Sequence, residues 1–189
     1  MKYKEYINEL AIEYNPELNR LFLTALKQVF APSFLNKIER VVVNNIKIKE
    51  VDERKGIVAY NIGDTIYINK NEFFDRDKTS QVRYVLHEFV HVLQRKKGIF
   101  FKKFKELTKL TDNINSILKK HLKQPLSVFL TGKNQKIGAG GKWEILAYFM
   151  NNSINWSAIS DEGKAKIIQE IEASGIFNTS HPFWKKRLN

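Results

Sequence analysis

Cysteine is absent from this 189-residue chain. Disulfides and thiolate-held zinc are therefore excluded, and any metal must rest on His, Asp or Glu. Histidine is scarce as well, with four in all, so two of them close together are worth explaining. Long uncharged runs are also missing. No stretch reaches the roughly 18–20 apolar residues that a membrane-spanning helix needs. Glu5, Glu9 and Glu13 interrupt the region where a signal peptide would carry its apolar segment. The expectation is a soluble, cytoplasmic protein with no membrane partner; a phage or virion association is compatible with the same features.

What is present is a globular composition. Hydrophobic residues make up 43% and charged residues 28%, enough for one domain with a proper core over residues 1–189 and short for two. The formal net charge is +12, most of the excess being lysine. A basic face can bind nucleic acid. Lysine without arginine forks or clustered aromatics is a weak signal of that kind. A compositional excess of Lys, Ile and Asn accounts for the charge more simply.

Along the chain, residues 1–39 read as N-terminal helices, Lys2 to Tyr14 and Pro16 to Phe30, with Leu18, Leu21, Phe22, Ala25, Leu26 and Val29 at helical spacing in the second. "RVVVNNIKIKEV", from Arg40 to Val51, is β-branched and reads as strand. In "GIVAYNIGDTIYIN", Gly63-Asp64 sits as a hairpin turn would, with Ile66 and Ile68 on one face and Tyr67 and Asn69 on the other. A helix is expected from Thr79 or Ser80 to about Lys97, ending at Gly98. Residues 99–142 read as an insertion, with a basic helix, a break at Gln124-Pro125 and a glycine-rich loop. Two more helices follow, from Trp143 to about Asn155 and from Ser160 to Ser174. The class is α+β, a small antiparallel or mixed sheet with helices around it.

The stretch "VLHEFVHVL" carries the chemistry. Helix positions four apart lie about 40° apart and one turn along the axis, so His87 and His91 can reach one ion. Glu88 falls about 100° away, beside the ion rather than on it. A metal lowers the pKa of a water toward about 7, and a carboxylate so placed accepts its proton as the water attacks a carbonyl. Val82, Leu86, Phe89, Val90 and Leu93 give the helix a core-facing side.

Two histidines leave such a site one protein ligand short. His121, in "LKKHLKQ", is flanked by lysines that repel a cation and reads as a solvated surface residue. Glu144 opens the apolar helix "WEILAYFMNNSI", and a carboxylate aimed into apolar surroundings needs a partner that a divalent cation can be. Its other reading is a favourable charge at a helix N-terminus. A phosphate-binding loop is excluded at Gly141-Lys142, because Trp143 stands where Ser or Thr is required.

His87-Glu88-Phe89-Val90-His91 followed by Glu144-Ile145-Leu146-Ala147 resembles the gluzincin branch of the zincin metallopeptidases. The closing His181-Pro182 with Arg187 is similar to HtpX-type gluzincins and the small minigluzincins, and the compact ImmA-type peptidases are a near alternative. The resemblance spans roughly residues 60–189. It implies a zincin-like fold and one zinc ion per chain, held by His87, His91 and Glu144. It further implies Glu88 as general base, His181 as a stabiliser of the tetrahedral oxyanion, and a peptide or protein substrate held along an edge strand, "DTIYIN". Where the family has Asp after the alanine, this chain has Tyr148. The expected function is zinc-dependent peptide hydrolysis; the alternative is a non-catalytic interaction or virion protein on the same scaffold, using its basic surface.

Overall fold

The computed structural model describes residues 16–42, 47–52, 56–94, 104–131, 141–151, 154–182 and 184–185. The expected helix Lys2–Tyr14 lies outside them, as do the end of the helix expected to reach Gly98, most of the glycine-rich loop, and Arg187.

Prolines open the first two helices, at a position whose missing N–H has no helical partner to lose. Helix α1 spans Pro16–Val29 and α2 spans Pro32–Val42. The strand expected from Arg40 is corrected at its start: Arg40 to Val42 end α2, and β1 covers Lys47–Val51. The reason is periodicity. Phe34 and Ile38 lie one turn apart and are both buried, and that burial outweighs the strand preference of the valines that follow.

Strands β2 (Ala59–Ile62) and β3 (Thr65–Asn69) form the expected hairpin, with Gly63 at φ 64° in the turn. The sheet order is β1-β3-β2, with β1 parallel and β2 antiparallel to β3. "DTIYIN" is therefore the central strand, which overturns its expected role as an edge. Ile66 and Ile68 turn into the core, so β3 has to sit in the middle, and the edge beside the hairpin is β2. Asn69 is also buried, its amide donating to the Ile57 carbonyl at 2.7 Å.

The remaining helices are α3 (Lys70–Phe73), α4 (Lys78–Gln94), α5 (Lys105–His121), α6 (Leu126–Thr131), α7 (Glu144–Asn151) and α8 (Asp161–Ala173). The described residues thus form an α+β structure of eight helices and one small mixed sheet. Helix α4 lies at its centre, packed against α1, α5, α7 and strands β2 and β3. Helix α5 buries Leu107, Leu110, Ile114 and Leu118, and packs on α8. The helix expected to reach Asn155 stops sooner: α7 ends at Asn151, and a 3-10 turn covers Trp156–Ala158.

His121 is not the solvated residue its lysine neighbours suggest. Its side chain is 15% exposed, and Nδ1 lies 3.2 Å from the Ser160 hydroxyl oxygen. That oxygen caps α8 by accepting from the Gly163 N–H at 3.1 Å. Gly163 has to be glycine, because a Cβ there would collide with His121 and Ile159. The C-terminal segment closes on α1: the Trp184 indole and the Asn178 N–H both donate to the Val29 carbonyl, at 2.8 and 2.9 Å. No helix among the described residues is long and apolar enough to cross a membrane.

Candidate metal centre

Three constraints fix α4. Its start is capped by Asp77, two residues ahead of the expected Thr79 or Ser80. Asp77 Oδ1 accepts the Ser80 N–H at 3.0 Å, and the Ser80 hydroxyl donates to Oδ2 at 2.6 Å. These bonds, made by the Ser80 hydroxyl and N–H, hold the Asp77 carboxyl below its ordinary value. The buried Gln81 amide donates to the Arg76 carbonyl at 2.8 Å, tying the first turn to the chain before it. Val85, Leu86, Phe89, Val90, Val92 and Leu93 are all buried, and Phe89 meets Phe22 edge-on at 5.5 Å between centroids. With that face fixed, His87 and His91 point away from it, toward α7.

Helix α7 presents the matching face. Ile145, Leu146, Ala147, Phe149 and Met150 are buried, while Glu144 and Tyr148, one turn apart, are only partly so. The turn before Glu144 is anchored to α5 by an ion pair between Lys142 and Asp112.

The three expected ligands meet. His87 Nε2 and His91 Nε2 are 3.1 Å apart, and Glu144 Oε2 lies 3.4 and 3.3 Å from them. Ligand bonds of about 2.0–2.1 Å at tetrahedral angles place donor atoms about 3.3–3.4 Å apart, the length of the two Glu144 edges, while the His87–His91 edge is shorter at 3.1 Å. His87, His91 and Glu144 can hold a metal ion. Two imidazoles and one carboxylate suit a first-row divalent ion better than calcium or magnesium, which take oxygen.

The electrostatics agree. Burial pushes the Glu144 carboxyl up, but hydrogen bonding to His87 and His91 and their charge outweigh it and hold the group far below the usual carboxylate range. Glu88 shifts the other way. Burial raises it, the imidazoles of His87 and His91 lower it, and the Glu144 charge raises it again, for a net rise. Glu88 is 9% exposed and makes no hydrogen bond or ion pair among the described residues. It sits within electrostatic reach of all three donors.

His181 is not one of the converging donors. Its backbone belongs to the C-terminal turn, where its N–H bonds the Asn178 carbonyl and its carbonyl accepts from Trp184, both at 2.9 Å. The residue at the site that its spacing should have revealed is Tyr148, four after Glu144. Its ring stands edge-on to His87 at 5.3 Å between centroids. Burial, then the charges of Glu144 and Tyr84, raise its hydroxyl above the ordinary tyrosine value. Tyr84, three before His87, lines the same end of the site.

Comparison with known proteins finds no matching family model, no matching curated protein and no matching solved structure.

Proposed function

We propose that this chain is a zinc-dependent metallopeptidase of the gluzincin type, with His87, His91 and Glu144 as ligands and Glu88 as general base. The observation that carries the reading is Glu88, a buried and unpartnered carboxyl with a raised pKa beside three converging donors. A structural zinc site is closed by four protein ligands. Three donors meet here among the described residues, and a site of purely structural purpose has no use for a second acid held apart from them.

Bound zinc supplies Lewis-acid polarisation of the scissile carbonyl and makes water easier to deprotonate. The chain's own groups do the rest. Glu88 accepts the proton of the attacking water and delivers it to the leaving amine. The apolar faces of α4 and α7 limit solvent behind the cluster. An extended peptide fits along β2, the sheet edge that packs on α4. Edge strands carry unpaired N–H and C=O groups that add a strand readily. Ile57 and Ile62, which flank that edge, are the exposed large hydrophobics among the described residues, at 39% and 60%.

The test is Glu88→Gln in the zinc-loaded protein, against a pool of unstructured peptides read by mass spectrometry for new termini. The variant should retain zinc and lose cleavage by about 100- to 10,000-fold, the range for a positioned general base. Undiminished cleavage would remove Glu88 from the role. No new termini from the zinc-loaded parent protein would favour the non-catalytic alternative.

A further inference from the structure

Peptide hydrolysis needs a donor for the carbonyl oxygen as it becomes negative, and such donors are among the larger contributors to rate. The groups already assigned at the centre cannot serve. His87 and His91 present their Nε2 atoms to the cluster, and Glu144 and Glu88 are carboxylates that accept. The His181 backbone belongs to the C-terminal turn, and its side chain is not among the three donors that converge. Among the described residues, the side chain packed against His87 that has a proton to donate is Tyr148. It is held against His87, with the ring contact at 5.3 Å and 79° between planes. It is half-buried and shares the face of α7 that carries Glu144. Tyr148 lies one turn on from Glu144, within electrostatic reach of Glu144 and Tyr84.

We propose that the Tyr148 hydroxyl donates a hydrogen bond to the substrate carbonyl oxygen during attack, the role that sequence resemblance gave to His181. As the water oxygen bonds to carbon, the carbonyl π pair moves onto oxygen and the water proton passes to Glu88. Tyr148 stabilises that oxygen by donating a hydrogen bond and keeps its own proton. When the pair returns, the C–N bond breaks and the amine takes the proton from Glu88. The proposal rests on the peptidase reading above and gives Tyr148, a departure from the gluzincin pattern, a chemical task.

The experiment compares the parent chain with Tyr148→Phe, which keeps the ring on His87 and removes only the hydroxyl. Zinc affinity is measured by chelator competition, folding by Tm, and binding of acetohydroxamate to the zinc-loaded protein by calorimetry. Acetohydroxamate places a negatively charged oxygen at the metal, where the donor must reach it. Tyr148→Phe should bind acetohydroxamate about tenfold or more weakly, as loss of one hydrogen bond to a charged oxygen predicts, with zinc affinity and Tm unchanged. Equal acetohydroxamate binding by the two proteins would overturn the proposal. A fall in zinc affinity with Tyr148→Phe would overturn it too, because the hydroxyl would then serve to position His87. Failure of the parent chain to bind zinc would remove the peptidase reading itself, and this inference with it.

Discussion

Glu144 stands in the first turn of α7, where the helix dipole favours a carboxylate, and its Oε2 lies 3.4 and 3.3 Å from the two imidazole nitrogens. This position is compatible with both readings of the residue, and they separate by substitution. Glu144→Gln keeps the side-chain shape and removes the charge. Zinc affinity should fall by more than the about 10–100-fold typical of losing a supporting partner, as read by chelator competition. An unchanged affinity would leave Glu144 with the helix-end role alone. The meeting of His87 and His91 was legible in the sequence because helical spacing is a strict geometric rule, and Glu144 because it opens an apolar helix. His121 misled: lysine neighbours along the chain say little about a side chain that folds back onto Ser160. His181 was offered by resemblance and not by any spacing, and the structure leaves it in the C-terminal turn.

Among the elements, α4 depends on its cap. The Ser80 hydroxyl and N–H both bond the Asp77 carboxylate and lower its pKa. A group whose folded pKa is depressed stabilises the fold above its unfolded pKa, and that contribution is lost as pH falls through the folded value. Asp77→Ala should therefore lower Tm at pH 7, and the gap from the parent chain should narrow below about pH 4, where the free carboxyl protonates. A gap independent of pH would mean that the carboxylate is not the capping group. The elements also show where pattern reading fails. The hairpin at Gly63 and the Ser160 cap of α8 carry local signals, so they were legible, while α4 is capped by Asp77 rather than by the expected Thr79 or Ser80. The end of α2 was read as strand because Val41 and Val42 favour β locally, while burial of Phe34 and Ile38 decides for helix. Strand order was beyond reach: β3 is central because β1 pairs with it in parallel, a long-range contact that no local pattern reports.

On the scale of the whole molecule, the N- and C-terminal parts meet beneath the site. Trp184 is fully buried and bonds the Val29 carbonyl at the end of α1. Phe177 stacks on Phe30 at 5.6 Å, and Phe30 meets Phe89 of α4 at 6.4 Å. This chain of aromatic contacts supports the buried face of the helix that carries both histidines. Trp184→Ala should cost about 3–5 kcal/mol by denaturant unfolding, as large-to-small changes in a packed core do. A loss under about 1 kcal/mol would mean that the C-terminal turn is not part of the core. The central claim is that the His87, His91 and Glu144 donors hold a single zinc ion. Anomalous scattering at the zinc edge, from crystals grown with zinc, tests it most directly. The account predicts one strong peak per chain, bonded to His87 Nε2, His91 Nε2 and Glu144 Oε2 at about 2.0–2.1 Å. Crystals with no peak at that position, or with zinc bound elsewhere on the chain, would contradict it.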